Sequence, residues 1–137
     1  MTKKFLCATD GTDHSAVAVI LAAEAAKAEK AHLTICAVNV AHGGGRGPTI
    51  NHWPDEELDK ILTEAAELAG KHGATKVEVA TIRSREAATG IVNYAETHEI
   101  DHIFMGTGDK RGLSRLMLGS VAADVAGRAH CSVTIAR

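Results

Sequence analysis

Two glycine-bearing segments of this chain have residue types and spacing that could do chemistry. Met105-Gly106-Thr107-Gly108-Asp109 follows the apolar run Ile103-Phe104-Met105, and Leu118-Gly119-Ser120-Val121 leads into a helix-like run from Val121 to Arg128. A strand that ends in glycines and continues into a helix start gathers bare backbone N–H groups and a positive helix end in one place. That is the chemistry of an anion site, and phosphate is the natural occupant. Asp109, inside the loop, has the wrong charge for that job.

The loop is not one of the common phosphate motifs. It lacks the Gly-Lys-Ser/Thr ending of a Walker loop, and Arg111 stands where a dinucleotide fingerprint needs its third glycine. Taken alone, the glycines could also serve simply as turn residues. Other clusters say less. His42-Gly43-Gly44-Gly45 looks like an esterase oxyanion loop, but no Gly-x-Ser-x-Gly elbow accompanies it. It reads as a surface loop that could fold over a ligand and bring Arg46 to a phosphate. The eight histidines show no zinc spacing, and a strand starting at Ile100 separates His98 from His102. Asp10, Asp13, His14 and Ser15 lie too close in sequence for a catalytic triad, and Thr12 or Asp13 is better explained as a helix cap.

The elements that must position these residues alternate along the chain. Phe5–Thr9, His32–Val40, Lys76–Ile82, Ile100–Met105 and Cys131–Ala136 read as strands. Ala16–Glu29, Pro54–Gly73, Glu86–His98 and Val121–Arg128 read as helices. Val17, Leu21 and Ala25 are expected to face the core in the first helix, with Glu24 and Lys27 outside. Ala41–Trp53 is read as a loop. The order is β-α-β-α-β-α-β-α-β, with strands apolar on both faces. That predicts an α/β fold in which residues 1–137 form one domain, a doubly wound five-stranded parallel sheet with helices on both faces. Ligands of such sheets bind beyond the carboxyl ends of the strands. Asp10, Val40 and Gly106 fall at such ends.

Composition narrows the partners. The 137 residues carry a net charge of −2, so no basic field exists to hold nucleic acid. Aromatics are 3%, which removes most base-stacking platforms and leaves an aliphatic core. No apolar run approaches a membrane span or a signal-peptide core, so a cytoplasmic protein is expected. Cys7, Cys36 and Cys131 are odd in number and widely spaced in apolar runs, as buried free thiols would be.

The wider pattern is more specific. Gly106, two residues, Asp109, nine residues, then Gly119-Ser120 resembles the nucleotide motif of the universal stress protein family. That motif is glycine, two residues, glycine, nine residues, glycine, then Ser or Thr. The flank Leu113-Ser114-Arg115-Leu116-Met117-Leu118 is also similar, and Asp10-Gly11-Thr12-Asp13-His14-Ser15 resembles the family's first-loop signature. The resemblance spans essentially the whole chain. It implies a Rossmann-like fold of the adenine nucleotide alpha hydrolase kind that binds ATP or a similar adenine nucleotide, with Mg²⁺ as a companion. By position, it implies Asp10 on the adenine and ribose side and the backbone of Val38 or its neighbour on the second strand at the adenine edge. Met105 and Gly106 would pass close to the ribose. Gly119, Ser120 and Val121 would hold phosphates by backbone N–H, with one more bond from the Ser120 hydroxyl.

Asp109 departs from the glycine of the family's ATP-binding members. A carboxylate about 4 Å from a phosphate repels it by about 1–4 kcal/mol per unit charge. Lys110, Arg111 and Arg115 could offset that, Gly108 could supply the turn one position early, and Mg²⁺ would make Asp109 a ligand. The last strand has no proline and no charge before Arg137, so as a sheet edge it predicts a two-fold homodimer through that strand. The implied role is a dimeric stress-response regulator that binds a nucleotide, with at most slow ATP hydrolysis, since no nucleophile or general base is evident beside the phosphates. The alternative is a member that binds no nucleotide and serves as a protein-interaction module.

Overall fold

A computed structural model describes residues 2–107 and 119–137. The elements in chain order are β1 (Lys4–Ala8), α1 (Asp13–Glu29), β2 (His32–Gly43), β3 (Thr49–Asn51), α2 (Asp55–Lys71), β4 (Val77–Ser84), α3 (Ala87–Thr97), β5 (His102–Gly106), α4 (Ser120–Arg128) and β6 (Ser132–Ala136). Five strands run parallel in the order β4-β2-β1-β5-β6. Their period of two sends side chains to opposite faces. Phe5, Leu33, Ile35 and Phe104 pack with α1 and α2, whereas Leu6, Cys36, Ile103 and Met105 pack with α3 and α4. This is the doubly wound sheet that the alternation of elements implies. β4 and β6 are its edges.

Two local expectations are corrected. The core face of α1 is Ala18, Val19, Ala22, Ala23 and Ala26; of the expected residues Ala25 is half-buried and packs against that core, whereas Val17 and Leu21 do not. Val17 and Leu21 are each 40% exposed. The reason is distance: α1 comes so close to the sheet that a Cβ on Gly106 would lie 2.7 Å from the carbonyl oxygen of His14. Only small side chains fit across such a gap, so alanines take the inner face and the larger residues are turned out. Glu24 and Lys27 do lie outside.

The second correction concerns Ala41–Trp53, which is not simply a loop. β2 runs on to Gly43, and β3 pairs back on it antiparallel, with His42 opposite Ile50. The turn takes positive φ at Gly43, Gly44 and Gly45, a region open to glycine without a Cβ clash. Arg85, after β4, donates to the Gly43 carbonyl at 2.7 Å. Asn39 pins the other end. Its side chain is fully buried, donates to the Trp53 carbonyl at 3.0 Å and accepts from the Trp53 N–H at 2.9 Å. The hairpin is thereby held against the carboxyl end of the sheet.

Candidate nucleotide site

The chain order reverses between β1 and β5, and a cleft of about 630 Å³ opens above that switch point. Crevices at such points are where open α/β sheets bind ligands. Asp10, Val38, Met105, Gly106, Gly119, Ser120 and Val121 all line it. Gly108 and Asp109 lie outside the described residues.

One wall is an interruption in the ladder of β2. The N–H and C=O of alternate residues in a strand point to the same side. Cys36 faces β1, because its carbonyl accepts from Thr9 N–H at 2.8 Å. Two residues further on, Val38 faces the same way, but the β1–β2 register stops at Ala8 and Cys36. Two residues beyond that, the Val40 carbonyl accepts from His52 N–H at 2.9 Å as β3 arrives. Val38 is therefore the one position where the inner edge of β2 turns a backbone donor and acceptor toward the cleft. Val40, Ala87, Ile91 and Met105 supply apolar surface around it. A flat heteroaromatic ring with an adjacent donor and acceptor suits that slot.

The first βα turn supplies the charge. Asp10 Oδ1 accepts from Thr12 N–H at 3.0 Å and from Thr12 Oγ1 at 2.6 Å. Burial pushes the Asp10 carboxyl up, but the bonds from Thr12 outweigh it, and the net result lies below the usual carboxylate range. Asp10 is thus an anion at neutral pH. Thr12 caps α1 by accepting from Ser15 N–H. The buried Ser15 hydroxyl bonds Thr9 Oγ1 at 2.9 Å and the Thr12 carbonyl at 3.0 Å. The capping role expected of this cluster is borne out for Thr12.

The opposite end of the cleft is the start of α4. Gly119 is its N-cap, and no side chain caps it. The Gly119 N–H is already spent on the Thr107 carbonyl at 3.1 Å, so it is not open to a phosphate as the resemblance implies. Ala123 N–H closes the first helical turn on Gly119. Helix geometry leaves Ser120, Val121 and Ala122 without intrahelical acceptors, and all three line the cleft. At Gly106, which lines the cleft, the direction of the missing Cβ is filled by the His14 backbone, so helix packing is a reason for a glycine there.

Sequence reasoning missed the hairpin's contribution. His42, His52 and Trp53 line the cleft, and the His52 ring packs edge-on to Trp53 at 4.8 Å. The available signal was Asn39, a polar residue inside an apolar strand. Arg46 lies exposed in the hairpin turn, outside the cleft lining. Among the described residues, no three His, Cys, Asp or Glu side chains are grouped to hold a metal. No helix there is long and apolar enough to cross a membrane.

The universal stress protein family model matches residues 1–137. The chain belongs to this family. It is 34% identical to the universal stress protein YxiE of Bacillus subtilis over 151 aligned positions, covering all of both chains. In fold it is similar to a universal stress protein in complex with cAMP, with a TM-score of 0.79 and 24% identity over 98% of this chain and 97% of that one. It is also similar to the universal stress protein of Archaeoglobus fulgidus in complex with dAMP, with a TM-score of 0.74 and 23% identity over 100% and 98%.

Proposed function

We propose that this protein binds ATP or a related adenine nucleotide in the switch-point cleft and acts as a dimeric, cytoplasmic stress-response regulator rather than a catalyst. The observation that carries the reading is the open backbone of Val38 in its apolar slot, where an adenine edge would find one donor and one acceptor. Ionised Asp10 suits ribose hydroxyls, since a carboxylate only accepts. The N–H groups of Ser120, Val121 and Ala122 suit phosphate, which a helix start favours by about 0.3–1 kcal/mol. Fold relatives in complex with cAMP and dAMP support an adenine nucleotide as the ligand class. Mg²⁺ would screen the phosphates from nearby carboxylates when ATP is bound.

The reading as a binder rests on the hydroxyls of the first loop. Thr9, Thr12 and Ser15 are spent on one another and on Asp10, so none is held ready as a nucleophile. The dimer reading rests on β6, which among the described residues pairs only with β5. Thr134→Pro should leave a monomer in sedimentation, and an unchanged dimer would exclude that edge.

The test is melting with ATP, GTP or adenosine, each with and without Mg²⁺. ATP at 100 times its dissociation constant should stabilise the fold by about 2.7 kcal/mol. GTP, whose base edge presents the opposite donor–acceptor order, should do much less. No shift at millimolar ATP, with no nucleotide released on denaturation, would refute the reading.

A further inference from the structure

The slot beside Val38 has a floor and a ceiling. Its floor is Thr9, whose N–H donates to the Cys36 carbonyl at 2.8 Å, and its ceiling is His52, whose N–H donates to the Val40 carbonyl at 2.9 Å. Both meet the same edge of β2, because alternate residues of a strand turn their backbone groups to one side. Each residue of a parallel strand rises about 3.3 Å, so the Val38 and Val40 carbonyls stand about 6.6 Å apart. That interval is the headroom above any donor that meets the Val38 carbonyl.

The ceiling is anchored. Asn39 holds the Trp53 backbone through two hydrogen bonds, and Arg85 holds the Gly43 carbonyl at 2.7 Å. Trp53 also packs against the core on the α1 and α2 side of the sheet. The His52 ring lies edge-on to the Trp53 ring at 4.8 Å, and both residues line the cleft. His52 is nevertheless exposed, so its ring is braced by Trp53 without being part of the core. The backbone closes the slot along the strand, and the two rings stand in the way around it.

The direction of β2 decides which part of an adenine lies beneath this ceiling. Within a strand residue the N–H precedes the C=O, and β2 runs from the level of Thr9 toward that of His52. The Val38 N–H is therefore on the floor side and the Val38 C=O on the ceiling side. An adenine paired with both sets a ring nitrogen, its acceptor, against the N–H. Its exocyclic amino group, the donor, goes to the C=O and so lies under His52 and Trp53.

We infer that His52, braced by Trp53, is a size gate on the adenine amino group: the slot takes a bare or singly methylated amino group and rejects larger N6 substituents. The gate presupposes the nucleotide reading above and adds its selectivity. A methyl carbon fits within the headroom, since carbon atoms pack at about 3.5–4.0 Å, whereas a benzyl group does not. Forcing such a group against an anchored wall weakens binding about 10- to 100-fold.

The test measures the affinities of ATP, N6-methyl-ATP and N6-benzyl-ATP by calorimetry, for the wild type, His52→Gly and His52→Phe. The exposed position of His52 lets both variants fold. The wild type should bind N6-methyl-ATP within about tenfold of ATP and N6-benzyl-ATP about 10- to 100-fold more weakly than ATP. In His52→Gly, which lacks the ring, the ratio of ATP to N6-benzyl-ATP affinity should fall by about fivefold or more. In His52→Phe, which keeps a ring, the ratio should stay near that of the wild type. Equal binding of ATP and N6-benzyl-ATP by the wild type overturns the gate while leaving the nucleotide site standing. A wild-type ratio that persists in His52→Gly, or that falls equally in His52→Phe, overturns it too. So does rejection of N6-methyl-ATP as strong as that of N6-benzyl-ATP, since substitution and not size would then decide. Absence of ATP binding to all three proteins overturns the nucleotide reading and the gate with it.

Discussion

Replacing Asn39 with leucine should cost the fold about 2–4 kcal/mol. Asn39 is fully buried and makes two hydrogen bonds, of 3.0 and 2.9 Å, to the backbone of Trp53. Leucine is similar in size but offers neither donor nor acceptor, so the Trp53 N–H and C=O both lose their partner. A buried group left unpaired costs about 1–3 kcal/mol. Two such groups, less the gain from burying a leucine and from water reaching half-buried Trp53, give the range stated. For a chain of this length each kcal/mol moves the melting temperature by roughly 3–4 °C, so a drop of about 7–14 °C is expected. Asn39→Asp separates the two bonds. It keeps the acceptor for the Trp53 N–H but sets a carboxylate against the Trp53 carbonyl. Burial and that carbonyl raise the folded pKa of the new acid above its unfolded value of about 3.9. Its neutral form can still donate, so the deficit relative to wild type should be small below that pH and grow as pH rises toward the folded pKa. Thermal unfolding of both variants from pH 3.5 to 8 is the assay. A leucine variant within about 0.5 kcal/mol of wild type, or an aspartate deficit that does not depend on pH, would refute the latch.

Gly106→Ala should destabilise by about 1–3 kcal/mol, because its Cβ would meet the His14 backbone at 2.7 Å, whereas Gly127→Ala, with open space around it inside α4, should stabilise by about 0.5–1 kcal/mol; melting temperatures check both. Cys131, half-buried ahead of β6, should react first with a maleimide in a timed mass-spectrometric assay. Cys7 and Cys36 should wait for unfolding, since burial pushes the Cys36 thiol up to about 12 and the Cys7 thiol up further still. Asp10 has a lowered folded pKa, so its contribution is full above the unfolded carboxylate value and lost as pH falls through the folded one. Asp10→Asn should therefore lose stability at pH 7 and converge on wild type near pH 2 in an acid-unfolding series.

The layered sheet was legible in the sequence because five apolar runs alternate with four helical ones, and that order leaves few topologies. The anion end was legible too, since a glycine before a helix start has a direct physical meaning. The face of α1 was not. Side-chain size marks the larger residues as core, but a close helix–sheet approach selects alanine, and that distance is a tertiary fact. The hairpin was hidden by its glycines, which suggest a plain loop until β2 is seen to continue past the end of β1. Val38 was assigned to the adenine edge only through resemblance. Its physical reason, a ladder open for one residue between Thr9 and His52, needs the register of three strands.

The most direct test of the adenine-nucleotide site follows backbone amide resonances while ATP is added to labelled protein. The Val38 slot and the α4 start predict the largest saturable shifts at Val38, Ser120, Val121 and Ala122, with Trp53 responding across the cleft. Saturation with ATP that leaves these amides unmoved, or moves a different surface instead, would contradict the assignment of the cleft.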